Sequence, residues 1–575
     1  MTAEIAIQTE RVDDIPLLIS QQQKMGIPEI IDGVIKRHGN RQGLSIGWTT
    51  VGWLTYILSK SDHRLSFVET WADKREGTLS SMMPGEVSAS DFTDDRLGDA
   101  LRELSDDGQW EAIETALGRR LLHVYELPNR CVRLDSTSAA LYHDTEGTEL
   151  FRHGHSKDHR PDLPQLKAML ATLDPMGMPL ATLIVAGNVA DDGLYIPAID
   201  RAREVLERRA LLYIGDSKME SLASRAHLAA GEDLYLVPLS RKGEQGKWLQ
   251  ELLRPVLDEK QELVDVYRDS PDGKEKQLIA QGYETSRVQE AIVDGKTVCW
   301  QERALVIYSP KLAQSAYRGL ERRFQQAEKK LLALTPEQGR GKRQQRQLGP
   351  LQSEAQAILT KHRVTDLLQV TYHRQVTYRH IRKYKERPAR TEEKVRYQIE
   401  MTRDEAAIKA LYRTLGWRLF VTNAPLEQLP LPDAVHAYRA APRVERNFSR
   451  LKGRPLGLRP FFVRREDYVK GLVRLLSLAL RVLTLPEFVV RRALHKSGEK
   501  LSGLYPGNPK QATNRPTTER LLTSFKEINL TIVRMPGQVI RHVTPLTALQ
   551  SRILVLLGLS PSIYADLASS EPIPP

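Results

Sequence analysis

Apolar residues recur at helical spacing through residues 1–95, and this pattern predicts a compact, mostly helical N-terminal region. Pro28 is placed to begin a new helix, and Trp48 and Trp53 lie on the helix that follows. Two shorter helices are predicted over residues 96–125. Spacing of this kind is usual for core packing, and a helical DNA-binding module is the alternative interpretation of residues 1–95.

Strands alternate with helices from about residue 130 to 240, which predicts an α/β core with some parallel strand pairing. The amphipathic helix of this stretch is expected over residues 196–210. The β-prone runs lie at 130–144, 179–195, 211–219 and 233–240.

The pattern changes between residues 241 and 410. Residues 286–310 predict two or three antiparallel strands, a long charged helix begins near 311, and a basic linker follows at 339–347. The run "VRYQIEMTRDEAAIKALYRTLGWRLFVTN" then predicts a strand, a helix and a strand. Residues 433–497 are predicted to be helical.

Composition narrows the functional classes. The chain has 575 residues, a net charge of +12 and a pI of about 9.4, which suits a polyanionic partner or an anionic membrane surface.

Two cysteines exclude a disulfide scaffold and a cysteine-rich zinc module and suit a reducing cytosol. The N-terminus lacks a secretory signal pattern. The apolar run at 471–485 includes two arginines and is too short to span a bilayer, so we expect a buried helix and no membrane association.

Two aspartates, Asp135 and Asp216, come at or near the ends of β-prone runs, in "RLDSTS" and "LLYIGDSKM". Chemistry in open α/β sheets collects where strands end, and a carboxylate there can bind a hard cation such as Mg²⁺. The alternative for either residue alone is a cap of the next helix or turn.

A third carboxylate, Glu445, lies in the basic stretch "RVERNFSRLKGRP". Pro442 suits the first turn of a helix, and Glu445 shares a helix face with Lys452 seven residues later. Residues 435–500 contain sixteen Lys/Arg and five Asp/Glu. A phosphodiester enzyme needs cations for the DNA backbone and a carboxylate for a metal, whereas the alternative is an ordinary ion pair of Glu445 with Arg446 or Arg450.

These residues together resemble the DDE transposases of bacterial insertion sequences, in the branch with a long insertion and a Y-x2-R-x3-E-x6-K signature. Tyr438, Glu445 and Lys452 match that signature in spacing, while Ala441 departs from its arginine and has Arg439 and Arg443 on either side. Residues 154–192 are similar to the family's link between the first and second core strands, and an N-terminal segment resembles a domain attached to this branch. The resemblance covers roughly residues 125–470.

The resemblance implies an α/β fold class: an RNase H-like catalytic core, with a mixed sheet flanked by helices, a β-rich and helical insertion and a helical N-terminal domain. The expected division is an N-terminal helical domain that helps bind DNA ends (1–95), the first part of the core (96–240), the insertion lobe (241–420), the second part of the core with the Glu445 helix (421–500) and a C-terminal tail domain (501–575).

The implied function is that of a DNA transposase that cuts DNA at element ends and joins them to target DNA. Asp135, Asp216 and Glu445 would be the catalytic residues and would hold two Mg²⁺ or Mn²⁺ ions. The implied partner is double-stranded DNA, both terminal inverted repeats and target, bound by a dimer in the bacterial cytoplasm at the nucleoid. The residues expected to bind DNA are Tyr438, Arg439, Arg443, Arg446, Lys452, His155 and Arg160.

Two other functional classes remain open at this stage. One is a transposase-derived protein that binds DNA without catalysis, and the other is a metal-dependent nuclease without strand transfer. The intact set of three acids favours an enzyme over the first of these.

Three histidines, His153, His155 and His159, occur in the run "FRHGHSKDHRPD". Their spacing does not match that of structural zinc ligands and no cysteine is near, so we favour a polar loop by the active site over a zinc site.

Tyrosines alternate with cations in residues 373–396 and just before them, at Tyr372, Tyr378 and Tyr384. Nine Lys/Arg against three acids favour contact with nucleic acid through phosphate pairing and stacking. A solvated surface with salt bridges is the alternative.

Overall fold

A computed structural model describes residues 5–36, 39, 42–270, 275–337, 347–383, 388–440, 442–535 and 538–569, without side chains at 442–444. The chain divides into two compact units. The first comprises Met1–Val237, Val288–Trp300 and His436–Pro575, and the second comprises Pro238–Arg287 and Gln301–Val435. Almost all of the predicted basic linker at 339–347 lies outside the described residues, as do Tyr384 and Ala441.

The N-terminal region is helical, as predicted, except for one strand that the sequence pattern did not reveal. Strand β1 (Ala6–Arg11) is short and largely exposed, so it lacks the buried face that makes a strand recognisable. It is followed by α1 (Ile15–Met25), α2 (Ile27–Val34), α3 (Ile46–Lys60), α4 (Val68–Asp73), α5 (Glu76–Met82), α6 (Asp94–Ser105) and α7 (Asp107–Val124).

The central α/β region of the first unit contains a mixed sheet. Its elements are β2 (Cys131–Ala140), β3 (Gln165–Leu173), β4 (Met178–Ala186), α8 (Tyr195–Leu206), β5 (Leu212–Ile214), α9 (Leu222–Ala230) and β6 (Leu234–Pro238). The strand order is β4-β3-β2-β5-β6, in which β2 is antiparallel to β3 and parallel to β5. Every residue of β3 is buried, which is why its sequence shows no alternation. Helices α7, α8 and α16 (Glu466–Ser497) pack against strand β4.

The second unit combines strands and helices. Its elements are α10 (Gly243–Leu257), β7 (Val264–Asp269), β8 (Lys276–Val293), β9 (Lys296–Tyr308), α11 (Pro310–Leu334), α12 (Leu348–His362), β10 (Leu368–Ile381), β11 (Arg390–Arg403), α13 (Glu405–Thr414) and β12 (Trp417–Thr422). The β8 and β9 strands form a hairpin whose tip belongs to the first unit. Strands β10 and β11 form a two-stranded sheet and pair with no further strand of the described residues.

The C-terminal elements begin with α14 (Leu431–Arg439) and α15 (Pro442–Lys452), which precede α16. The prediction of unbroken helix over 433–497 is wrong at residues 453–465, where Pro455 and Pro460 cannot donate helical hydrogen bonds. The remaining elements are α17 (Thr518–Thr523), β13 (Asn529–Met535), β14 (Gln538–Val543), α18 (Ala548–Leu557) and α19 (Ser562–Ala565). Strand β13 pairs antiparallel with β1, which joins the two ends of the described chain.

The apolar run 471–485 lies within α16 and is buried, as predicted. Its two arginines have internal partners. Arg474 donates to the carbonyl oxygens at the end of α6, and Arg481 lies 2.6 Å from the buried carboxylate of Glu114 on α7. Because both charges are satisfied, an arginine-containing helix can form part of the core.

Candidate active site

Asp135 lies in the middle of β2, at a half-exposed position among buried neighbours. The expectation that it ends its strand is wrong, because residues 136–140 continue the antiparallel pairing with β3. Its side chain is 31% exposed, and its Oδ1 accepts a hydrogen bond of 2.8 Å from the backbone N–H of Ser136. The Nζ of Lys157 lies 4.0 Å from the same oxygen.

Asp216 follows strand β5, which pairs in parallel with β2. The register pairs Arg133 with Ile214, and the same offset places Asp216 opposite Asp135, two residues further along each chain. Neighbouring strands are about 4.8 Å apart, so this register brings the two aspartates to adjacent positions. A pair of acids 81 positions apart in sequence therefore meets because of strand order alone.

Two hydrogen bonds hold the Asp216 carboxylate. The hydroxyl of Tyr195 donates to its Oδ1 at 2.6 Å, and the backbone N–H of Lys218 donates to the same atom at 2.8 Å. Gly215 permits this packing, since a Cβ there would lie 2.5 Å from the Met219 sulfur and 3.2 Å from the Tyr195 ring. Burial, followed by the charge and hydrogen bond of Asp216, raises the pKa of Tyr195, so its hydroxyl stays protonated and remains a donor.

Glu445 lies in the first turn of α15 and is exposed. Helix α15 contacts both β2 and α16. No cation is paired with Glu445 among the side chains that the structure describes. The two arginines that could have neutralised it have other partners: Arg446 pairs with Glu487 at 2.7 Å, and Arg450 pairs with Glu487 and Glu519 at 2.5 and 2.6 Å. The ordinary ion-pair interpretation of Glu445 is therefore wrong for both arginines.

The three carboxylates share one electrostatic environment. The pKa of Asp135 rises to about 6, mainly through burial, and the charges of Asp216 and Glu445 add to the rise while Lys157 opposes it. A divalent cation would relieve the repulsion between these acids. Hard divalent cations such as Mg²⁺ prefer carboxylate oxygens as ligands. In the described part of the chain, no three acid, histidine or cysteine side chains are already arranged as ligands of one ion.

Lys157 and Asp191 form a polar network beside Asp135. Lys157 Nζ donates to the backbone oxygen and hydroxyl of Ser136, both at 2.7 Å, and lies 3.4 Å from Asp191. Lys167 pairs with the other oxygen of Asp191 at 2.7 Å. Burial alone would raise the pKa of Asp191, but the hydrogen bonds and charges of the two lysines hold it below its usual value. Asp191 is therefore ionised and holds the Lys157 ammonium by an ion pair.

A second network is centred on Asp158, whose side chain is only 6% exposed. Its carboxylate oxygens lie 2.7 Å from Lys452 Nζ and 2.8 Å from Arg459. The backbone N–H of Ala140, at the end of β2, donates to it at 3.3 Å. Asp158 thus connects the helix of Glu445 with the strand of Asp135.

The residues predicted to bind DNA lie in different settings. Tyr438 and Arg439 are half-buried at the end of α14, and the side chain of Arg443 lies outside the described part. His155 is exposed in the loop before β3, as are His153 and His159. Arg160, in the same loop, pairs with Asp162 at 2.7 Å and donates to the hydroxyl of Tyr142.

Sequence reasoning missed four residues that support the acids: Tyr195, Lys157, Asp158 and Asp191. Lys157 and Asp158 belong to the run "GHSKDHRPD", so a signal was present in the polar loop, although their partners were not evident. Nothing in the local sequence marks Tyr195, the first residue of α8, which contacts Asp216 because α8 packs across β2, β3 and β4.

The family described as "Transposase DDE domain" matches residues 127–482. The chain belongs to this family. DDE transposases are DNA-cleaving and strand-transferring enzymes that depend on divalent metal ions. The prediction of a DDE transposase is confirmed, whereas the Y-x2-R-x3-E-x6-K branch and the origin in a bacterial insertion sequence stay predictions. The predicted α/β fold class is confirmed too: a mixed sheet is flanked by helices, and the N-terminal region is helical.

Other comparisons of this DDE transposase add two observations. Residues 7–116 match a domain of unknown function, DUF4277. A piggyBac transposase, solved by cryo-EM in a synaptic complex with hairpin DNA, aligns with a TM-score of 0.34 and 10% identity over 89% of this chain and 79% of that chain. No curated protein matches.

Among the described helices, none by itself is long and apolar enough to cross a membrane. A bent pair of short segments, Ala548–Leu557 with Ser562–Ala568, meets the length and composition criteria only when taken together.

Proposed function

We propose that this DDE transposase cuts DNA at the ends of a bacterial insertion sequence and joins them to target DNA, with Asp135, Asp216 and Glu445 as its catalytic acids. One observation supports this assignment above the others. The parallel register of β2 and β5 places Asp216 opposite Asp135, the Glu445 helix contacts β2, and both acids contribute to the raised pKa of Asp135, although they are distant from it in sequence. An exposed glutamate in a basic helix has no structural need to approach two strand aspartates, whereas a metal-dependent phosphoryl transfer requires it.

The proposed cofactor is Mg²⁺ or Mn²⁺, two ions held by the three acids. Bound divalent ions would polarise the scissile phosphate and stabilise the attacking and leaving oxygens. The residues of this chain prepare the site for them. Tyr195 fixes the orientation of the Asp216 carboxylate, and Lys157 limits the repulsion that Asp135 experiences. Both support carboxylates that would otherwise repel one another.

The proposed partner is double-stranded DNA, both the terminal inverted repeats and the target. The net charge of +12 favours a polyanion. Tyr438, Arg439 and Arg443 precede Glu445 and are proposed to bind the DNA backbone near the cut, and His155 and Arg160 to contact it from the loop before β3. Dimerisation in the DNA complex, a role for residues 1–95 in binding element ends, and action in the bacterial cytoplasm belong to the same proposal.

Three of the predicted DNA contacts have a modified role in this proposal. Lys452, Arg446 and Arg160 are engaged in ion pairs with acids of their own unit. Each can meet a phosphate only as part of such a pair, so its contribution to DNA affinity is expected to be smaller than that of an unpaired cation.

The test is to incubate the purified full chain with duplex DNA of its element's end, a target plasmid and Mg²⁺. The expected products are a 3′-hydroxyl at the element end and a joined species that contains both DNAs. Cleavage without joining would identify a nuclease without strand transfer. Specific binding without cleavage, in Mg²⁺ and in Mn²⁺, would identify a DNA-binding protein without catalysis, and either result would overturn the proposal.

A further inference from the structure

Strands β10 and β11 form a long, isolated ribbon, here called the basic ribbon (residues 368–381 and 390–403). The two strands pair antiparallel along their whole length, from Leu368 opposite Arg403 to Ile381 opposite Arg390, and the part of the chain that the structure describes adds no third strand to them. At about 3.4 Å per residue, fourteen residues extend for about 45 Å. A short turn is enough to connect two antiparallel strands, so the connection by itself does not explain strands of this length.

The basic ribbon is covered mainly along its first half, and in the outer half Tyr397, next to the boundary, also packs against the covering cluster. Leu368 and Ile399 are buried in an apolar cluster with α11 and α12, and Tyr372 and Met401 pack against it. The outer half, residues 374–381 and 390–397, has no fully buried residue, and Tyr378 is 67% exposed. A two-stranded hairpin by itself is marginally stable in water, so the anchored first half holds the outer half in an extended form.

The outer half is positively charged. It contains five basic and two acidic residues: Arg374, Arg379, Arg390, Lys394 and Arg396, with Glu392 and Glu393. The two acids pair with Arg390 and Arg374. Arg379 and Lys394 have no ion pair among the residues that the structure describes. On a solvated surface held by salt bridges, an acid would neutralise each such cation. Because Arg379 and Lys394 are not neutralised in this way, their charges are available to a polyanion.

The charges are concentrated on one face. Side chains alternate along a strand, and directly opposite residues share a face. The register therefore places Arg379, Lys394 and Arg396 on the same face as Gln375 and Gln398. The same face includes one acid, Glu392, which lies opposite Arg379 and pairs with Arg390. Gln375 accepts a hydrogen bond of 2.6 Å from Arg396 and donates one of 3.0 Å to Gln398. This face, called the polar face, combines cations with amides, whereas Arg374 and Tyr378 lie on the opposite face.

We propose that the polar face of the basic ribbon docks into the major groove of duplex DNA. The groove is wide enough for a two-stranded β-ribbon. Arg379 and Lys394 would meet phosphates at its edges, and Gln375 with Arg396 would face the base edges, where amides and guanidinium groups find hydrogen-bond partners. The inference rests on the proposed function for the identity of the partner, and it assigns DNA contact to an element outside the catalytic site.

The experiment measures binding of the full chain to a 30-base-pair duplex across a salt series, without divalent metal. The test variant is the pair Arg379→Gln and Lys394→Gln. Its matched control is Lys329→Gln with Lys330→Gln, two exposed lysines on α11 that give the same change in net charge. Each phosphate contact contributes about −0.9 to the slope of log K against log salt, so the slope of the test variant should be less negative than that of wild type by about 1.8. At 0.15 M salt its binding should weaken more than tenfold, while the control should bind as wild type does.

Two single substitutions test the orientation. Arg379→Gln on the polar face should weaken duplex binding, and Arg374→Gln on the opposite face should not. Unchanged urea midpoints would show that all variants remain folded. The same measurement on single-stranded DNA should show little dependence on the ribbon, since a groove requires a duplex.

The result that overturns the inference alone is a wild-type chain that binds duplex DNA and ribbon variants that bind it equally well. Equal losses from Arg374→Gln and Arg379→Gln, or equal losses on single-stranded DNA, would also overturn it. If the wild-type chain binds no duplex, the proposed function is overturned as well as the inference. Absence of cleavage in the assay with element-end DNA would show independently that the proposed function is wrong.

Discussion

The ammonium of Lys452 lies 2.7 Å from the buried carboxylate of Asp158. Burial lowers the pKa of Lys452, and the hydrogen bond and charge of Asp158 oppose that change. Each of the two buried charges therefore stabilises the other. Arg459 shares the same carboxylate at 2.8 Å. Lys452, the last residue of α15, is therefore bound to the loop that follows β2. The position of the Glu445 helix relative to the Asp135 strand depends on this contact.

Removing Asp158 should cost more stability than removing Lys452. Asp158→Asn leaves two cations without their counter-charge and should lower the free energy of unfolding by about 2–4 kcal/mol. Lys452→Met leaves Asp158 paired with Arg459 and should cost about 1 kcal/mol. Urea denaturation of both variants measures the difference. Equal losses would mean that Asp158 does not depend on Arg459.

Glu445→Gln should abolish DNA cleavage and leave duplex binding nearly unchanged. Glutamine keeps the size and helix propensity of glutamate but removes the charge that a hard cation requires. Cleavage is measured with Mg²⁺ and binding without it, on the same DNA. Glu354→Gln, at an exposed position of α12, is the control and should cleave normally. Cleavage at the wild-type rate by the Glu445 variant would exclude Glu445 as a metal ligand.

Tyr195→Phe should raise the Mg²⁺ concentration needed for half-maximal cleavage by about tenfold or more, because Asp216 loses the donor that orients it. DNA binding without metal should not change. Tyr213→Phe is the matched control: its hydroxyl is buried with no hydrogen-bond partner in the described structure, so its removal should leave the Mg²⁺ dependence unaltered. The same shift in both variants would indicate a general packing effect and not a loss of orientation.

Asp14→Asn should stabilise the protein at neutral pH. Burial raises the pKa of Asp14 from 3.8 to about 6, with Asp13 adding to the rise and Ser59 and Lys60 opposing it. A folded-state pKa above the unfolded value means that the native state binds more protons between about pH 4 and 6, so wild-type stability falls as pH rises through that window. The gain from Asp14→Asn should be near zero below pH 4 and about 2 kcal/mol at pH 7.

The neighbouring substitution, Asp13→Asn, is the control for the Asp14 prediction and should have the opposite sign. Asp13 accepts two hydrogen bonds from Arg11, at 2.8 and 3.0 Å, and one from the backbone N–H of Glu527. Losing its charge should lower the free energy of unfolding by about 1 kcal/mol at pH 7. Thermal unfolding from pH 4 to pH 8 compares the two variants. Stabilisation by both would show that net charge, and not burial of Asp14, determines the effect.

Much of the fold could be predicted from the sequence, and the errors have physical causes. Helices such as α7 and α16 have strong periodicity and buried faces, so their local pattern was sufficient. Strand β1 was missed because it is short and exposed and forms only with β13, more than five hundred residues later. Strand β3 was missed because it is buried throughout and has no alternation. Asp135 was placed at a strand end because polar residues follow it, although pairing with β3 continues the strand.

The order of amino acids alone specifies which chemistry the site offers: three acids in distinctive motifs, basic residues around them and the local elements that hold them. Which of these residues interact depends on the folded chain. The parallel register of β2 and β5 makes Asp216 a neighbour of Asp135, and the packing of α8 and the loop before β3 supplies Tyr195 and Asp158. Local sequence sets backbone propensity and charge, whereas Coulomb and hydrogen-bond interactions depend on distances through space, and those distances exist only after the sheet has assembled.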